Sequence, residues 1–306
     1  MPMLRGCDGA IFWIAMPLMM GGCATAPLDG GGSLTSYADL TQSDGVFARS
    51  KLRVNKDAVL AARTLKLAPT TFSASARQDE ISDDQRKLIA NVVDRSLCGK
   101  LSERFQIVPA SEKADLTVRA VITHMTATDE KAVAVTKVAS VAKSVLLPGV
   151  PVPVPRLPIG LGSLSIEAEA RTEPPPVVAS GKERRRKVDG GIARGEQVAA
   201  MVWGRGANAL WGTARVSSSG DAYEFASAFG DDFSKLLVTG ESPFNSLPTP
   251  SLASLQSAMG GAPKNPVCEA FGRAPGVMGI IGGAVGAPPE WTDKGAPAEQ
   301  QTAAVQ

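Results

Sequence analysis

Few side chains in this 306-residue sequence have the type and spacing for acid–base or nucleophilic chemistry. There is one histidine, His124, so every histidine-based mechanism depends on it. A histidine can serve as general base toward a serine, but no Gly-x-Ser-x-Gly elbow accompanies this one. Its parity with Leu116, Val118, Ala120 and Ile122 places it at the end of the core face of a strand. A structural histidine is the expectation, and a hydrolase base the alternative. Glu167 and Glu169 project from one face of an alternating segment, about 7 Å apart along the backbone. Two carboxylates so placed could serve glycoside hydrolysis. The strict alternation, with Arg171 beside them, points instead to a solvated polar face. Gly204-Arg-Gly-Ala-Asn-Ala209 has the outline of a dinucleotide-binding loop, yet Gly212 and Ser217–Gly220 leave no room for the crossover helix that such a unit needs. No His-Glu-x-x-His, paired Cys-x-x-Cys or Walker loop occurs, so no catalytic residue, metal or cofactor is expected.

The four cysteines carry more information. Arg5 supplies a positive start, and Ala10–Met20 is an apolar run far shorter than the roughly 20 residues of a bilayer-spanning helix, the pattern of a secretory signal. It ends in Met20-Gly21-Gly22-Cys23. Small residues ahead of a cysteine resemble the bacterial lipobox, with Met20 where leucine is usual. That resemblance implies a diacylglycerol on the Cys23 thiol, cleavage before it and acylation of the new amino group. Ala24 in place of aspartate implies the outer membrane. Several acyl chains at about 0.8 kcal/mol per buried methylene give lasting attachment. Cys7 leaves with the signal. Cys98 and Cys268 remain as a candidate disulfide in an oxidising compartment, with two unrelated thiols as the alternative. The basic run Lys182, Arg184, Arg185, Arg186 and Lys187 reads as a solvated loop, or as a contact for anionic headgroups at up to about 1 kcal/mol per cation.

The elements that must position these residues follow from patterning. Hydrophobic residues make up 44% and charged residues 20%, which is globular, and 32 Lys+Arg against 30 Asp+Glu gives no reason to expect nucleic acid. Residues 1–22 read as the signal peptide and 23–32 as a flexible tether. Thr64–Phe72 reads as a first strand, with Pro69 suggesting an edge or a strand end. A Ser82…Gln85 capping box opens an amphipathic helix carrying Leu88, Ile89, Val92, Val93, Leu97, Leu101 and Phe105. Leu116–Thr123, Leu164–Arg171 and Gln197–Trp203 read as strands, the last more deeply buried and antiparallel to the one before it. Asp221–Glu224 opens a second helix with Phe225, Phe229, Phe233, Leu236 and Leu237 inside, ending at Gly240. Two excursions interrupt the sheet. One is a helical Ala132–Leu147 followed by Pro148–Pro155, and the other is the long tip Thr172–Glu196. The predicted fold is one α+β domain over residues 33–240, two amphipathic helices on one face of a small, mainly antiparallel sheet. A Pro/Gly/Ala-rich tail fills 241–306.

The lipobox, Ser36-Tyr-Ala-Asp-Leu40 just after it, the capped helix and Leu164-Ser-Ile-Glu-Ala-Glu-Ala170 after a Val-Pro-Val-Pro stretch together resemble the domain of unknown function 3313 family of bacterial lipoproteins, over about residues 23–240. The tip Thr172–Glu196 departs from it, where a tight turn is expected. The resemblance implies location and fold, and no activity. The expected role is that of a non-catalytic outer-membrane lipoprotein facing the periplasm, a structural or binding module. Its partners would be the membrane, through the lipid anchor, and another envelope protein. A carrier of a lipid or other apolar ligand, with Ala132–Pro155 as lid, is the first alternative, and a hydrolase using His124 the second.

Overall fold

In the computed structural model, residues 24–146, 159–173, 195–208, 215–245 and 259–297 are described. Cys23, the Pro148–Pro155 run and the basic residues 182–187 lie outside them.

Alternation and capping build the expected layers. Ser82 caps α2 (Asp83–Leu101): its hydroxyl accepts from the Gln85 amide, and Gln85 Oε1 accepts from the Ser82 amide at 2.9 Å. Strands β6 (Leu116–Thr126), β7 (Ser163–Thr172) and β8 (Gln197–Gly206) form an antiparallel meander. Two strands with no place in the sequence reading, β1 (Thr41–Gln42) and β2 (Arg49–Val54), extend it antiparallel beyond β8. On the other side the expected first strand is broken at Ala68-Pro69 into β3 (Thr64–Leu67) and β4 (Thr71–Phe72). Both pair parallel with β6, and β3 also pairs parallel with β5 (Gln106–Ile107). The result is an eight-stranded sheet, ordered β1-β2-β8-β7-β6-β3-β5 with β4 on β6, antiparallel except at this edge.

Leu164, Ile166, Ala168 and Ala170 of β7, with Ala199, Met201 and Trp203 of β8, face α2 and α4 (Gly220–Thr239). Phe225, Phe229, Phe233, Leu236 and Leu237 are the buried stripe of α4, and Trp203 meets Phe229 edge-on at 5.7 Å. Edge-to-face contact suits the ring quadrupoles. The short α1 (Lys56–Ala61) packs beside α4, and α3 (Glu130–Leu146) is the helix expected from Ala132 onward.

The C-terminal segment is more regular than its composition suggests. A 3₁₀ turn at Pro266–Phe271 precedes α5 (Gly276–Val285) and α6 (Pro289–Thr292). Cys98 of α2 and Cys268 of the 3₁₀ turn form a disulfide, with Cα atoms 5.6 Å apart and a sequence separation of 170. Further on, the Arg95 guanidinium of α2 pairs with Asp293, which also accepts from the Tyr223 hydroxyl of α4 at 2.7 Å. Three attachments hold the segment against the helical layer, the third being Glu290 bonded by Gln85, Ser217 and Ser219.

Candidate functional site

The face of the sheet away from the helices is where the structure departs most from the sequence reading. Glu167 and Glu169 are not solvated: their relative exposures are 0% and 1%. The chain from Ala24 to Leu40 covers them. Residues 24–32, expected as a flexible tether, lie against the sheet as a strap. The Ala24 amide donates to the Ala207 carbonyl at 3.0 Å, Ser165 Oγ donates to the Pro27 carbonyl at 2.7 Å, and Ala26 and Leu28 are buried. Leu34, Tyr37 and Leu40 complete a second small core with Ala200 and Val202 of β8.

The two carboxylates hold the strap. Glu167 accepts from the Gly31 amide, the Ser33 amide at 3.0 Å, the Ser33 hydroxyl and the Tyr37 hydroxyl at 2.6 Å. Glu169 accepts from the Thr35 amide at 2.7 Å and the Thr35 hydroxyl at 3.0 Å. It also accepts from Gln197 Nε2 at 2.7 Å and from the Arg119 guanidinium at 2.9 Å. Arg119 also donates to the Ser33 carbonyl. Burying a carboxylate without donors is prohibitive, and charge-assisted bonds of this kind are the strong ones. Burial pushes the Glu169 carboxyl up, but the Thr35 amide, Gln197, the Thr35 hydroxyl and Arg119 outweigh it and hold the group below the usual range. Burial and the bond to Glu167 push the Tyr37 phenol up, so it stays a donor. With their lone pairs turned to the strap, the two carboxylates form a latch rather than an acid–base pair.

The glycines of the apparent dinucleotide loop belong to the same arrangement. Gly204 and Gly206 are strand residues of β8. A Cβ on Gly206 would stand 1.7 Å from the Ala24 carbonyl oxygen, and one on Gly204 would stand 3.0 Å from Leu28. They let the strap approach the sheet, and the phosphate reading falls away. Gly31 does the same from the strap side, since a Cβ there would meet Thr123 at 2.5 Å.

His124 is also displaced from its expected place. A bulge between Ile122 and His124 shifts the register, so that His124 pairs with Ser165 on the strap side and Met125 takes the core position. The bulge breaks the two-residue period on which the parity argument rests. His124 Nε2 lies 3.0 Å from Thr126 Oγ1, and burial pushes the imidazole down. The hydroxyl of Ser165, the cross-strand partner of His124, donates to Pro27 instead. Among the described residues no group of three His, Cys, Asp or Glu could hold a metal ion, and no helix is long and apolar enough to cross a membrane.

Of the residues singled out from sequence, the fold therefore joins Glu167 with Tyr37 of the Ser36–Leu40 motif, and Cys98 with Cys268. Cys23 and the Lys182–Lys187 run lie outside the described residues. The strap residues Gly31, Ser33 and Thr35 were not anticipated, although one signal was present: β8 carries apolar residues at both parities, Val198, Ala200 and Val202 as well as Ala199, Met201 and Trp203. Such a strand is covered on both faces.

Residues 30–233 match the family described as "Protein of unknown function (DUF3313)". The chain belongs to this family. No curated protein matches it. Among solved structures, a PelC dodecamer from Paraburkholderia phytofirmans, carrying one substitution, aligns over 59% of this chain and 92% of its own at 7% identity. The TM-score is 0.29, a loose overlap. The family match begins at Gly30, one residue before the first amide bound by Glu167, and so takes in both carboxylates and the Gly31–Leu40 part of the covering segment.

Proposed function

We propose that the protein is an outer-membrane lipoprotein, acylated on Cys23, whose α+β domain is a non-catalytic structural or binding module facing the periplasm. The observation that carries this reading is the latch. The two carboxylates best placed for chemistry are consumed in fixing the segment that follows Cys23, so the domain is joined to its anchor through the strap and not through a free tether. A module attached in this way has its orientation to the bilayer set by its own sheet. The cleft beside Ala24, about 220 Å³, has a mixed lining in which Arg49, Arg205, Asp221 and Glu224 stand beside Val46, Phe47 and Phe225.

The test is mass spectrometry of the mature N-terminal peptide with sucrose-gradient separation of the envelope. Acyl adducts on Cys23 and recovery in the outer-membrane fraction are expected. An unmodified N-terminus beginning elsewhere, or recovery away from the envelope, contradicts the reading. Cross-linking in intact envelopes then identifies the protein partner, and the module reading expects one.

A further inference from the structure

Helix α5 is built inside out. Its buried residues are Gly276, Gly279, Gly282 and Gly283. Its large apolar residues, Val277, Met278, Ile280, Ile281 and Val285, are each more than half exposed, with Met278 at 65%. At 100° per residue the two sets occupy opposite sides of the helix. No charged residue interrupts Gly276–Val285. The glycine side is the packed one: Arg215 Nη2 donates to the Gly279 carbonyl at 3.1 Å, and a Cβ on Gly283 would stand 2.8 Å from the same guanidinium. Alongside, Lys137 of α3 donates to the Ala284 carbonyl at 3.2 Å, and Val135 and Val138 of α3 are exposed. A contiguous apolar surface of this kind on a folded domain marks a contact.

Its position indicates what it contacts. Val216, next to Arg215, donates to the Gly286 carbonyl at the end of α5. The chain then enters α4, whose Asp221 accepts from Thr128 and Gly162. Gly162 in turn accepts from the Ala207 amide, and the Ala207 carbonyl accepts from Ala24. This bonded series lies at one end of the sheet, where β6 and β8 finish and β7 begins. The loop before β2 reaches the same end and presents Val46, 92% exposed, and Phe47 beside Ala24. Ala24 itself lies at this end, and Cys23 precedes it in the sequence.

We propose that this end of the domain is apposed to the bilayer that holds the anchor, with the outer side of α5 sunk into the headgroup–acyl boundary as a second, non-covalent membrane contact. The inference rests on the reading of Cys23 as the acylated residue. An uncharged helix with its apolar side outward suits that depth, and acyl chains one residue from Ala24 bring the bilayer to this surface.

The full chain, matured in a bacterial host and reconstituted in phosphatidylethanolamine–phosphatidylglycerol vesicles, tests it. Nitroxide labels go on Met278→Cys and Ile281→Cys, with Leu60→Cys in α1, at the opposite end of the sheet, as reference. The native disulfide does not react with the label. The oxygen-to-nickel collision ratio at 278 and 281 is expected to exceed that at 60 by roughly threefold or more, as for side chains at the headgroup–acyl boundary. Equal ratios in a chain whose Cys23 is shown by mass to be acylated overturn the inference and leave the anchor intact. Spin–spin broadening between chains assigns the surface to a second copy, and also overturns it. An unacylated chain overturns the anchor. The membrane contact then stands only if the labels still give the lipid signature on vesicles, and otherwise falls with it.

Discussion

Among the described residues no cation bonds the Glu167 carboxylate; four donors from Gly31, Ser33 and Tyr37 satisfy it. Glu167→Ala leaves those donors buried and unpaired, at a cost on the order of 3 kcal/mol, which for a domain of this size lowers the melting temperature by roughly 6–12 °C. Tyr37→Phe removes one of the four and costs about 1–2 kcal/mol. In a Glu167→Gln background the Tyr37→Phe effect should shrink, because the pair shares one bond. Equal effects in both backgrounds would separate Tyr37 from the latch. Glu169 adds a pH dependence. Its folded-state carboxyl is held below the ordinary value, so its contribution is present above that value, about 4.3, and is lost as pH falls through the lower, folded one. Thermal melts of Glu169→Gln should therefore be flatter than those of the native chain below about pH 4.3. Residue types and their alternation were legible in the sequence. The direction of burial was not, because a period of two says which residues share a face, and whether that face is wet depends on a segment more than 130 residues away.

Among elements, α2 carries the connections that unite the layers. Asp94 on this helix accepts from the Thr70 amide at 3.0 Å and from the Thr70 hydroxyl, tying α2 to the break between β3 and β4. Burial pushes the Asp94 carboxyl up to about 7. An acid raised in the folded state contributes stability that is full below its ordinary value, about 3.9, and lost as pH rises through about 7. Asp94→Asn should remove that decline from a series of melts between about pH 4 and 7; an unchanged profile would contradict it. On the same helix Cys98 closes a loop of 170 positions, worth about 5 kcal/mol in the chain-entropy picture. Non-reducing peptide mapping should recover the Cys98 and Cys268 peptides linked, and Cys98→Ser should free the C-terminal segment to proteolysis. Two alkylated thiols in the unreduced protein would contradict the bridge. The long helices, the hairpin strands and the α+β class were readable because capping boxes and apolar periods are local signals. β1, β2 and β5 were not, since two to six residues hold too little pattern and their pairing is decided by neighbours distant in sequence. The bulge at Ile122–His124 likewise has no period to betray it.

At the scale of the whole molecule, the strap and the sheet form one unit. Ser36–Leu40 and Leu164–Ala170 stand far apart in the sequence, and the fold explains why both are needed: Tyr37 of the first bonds Glu167 of the second, and Leu40 packs with the same face. That partnership was visible in the sequence only as two separate motifs, because nothing in the residues says that a strap will cross the sheet. The docked C-terminal segment was hidden for a different reason. Its glycine-rich composition resembles a linker, while its docking depends on single buried groups, Cys268, Asp293 and Glu290, whose partners lie elsewhere. The central claim is that the chain from Ala24 to Leu40 is docked on the sheet. Amide hydrogen exchange of the protein, read at Gly31, Ser33 and Thr35, tests it most directly. The account predicts that these three amides exchange as slowly as those of β7, and that Glu167→Ala and Glu169→Ala release them. Exchange at the rate of an unstructured peptide in the native protein would contradict it.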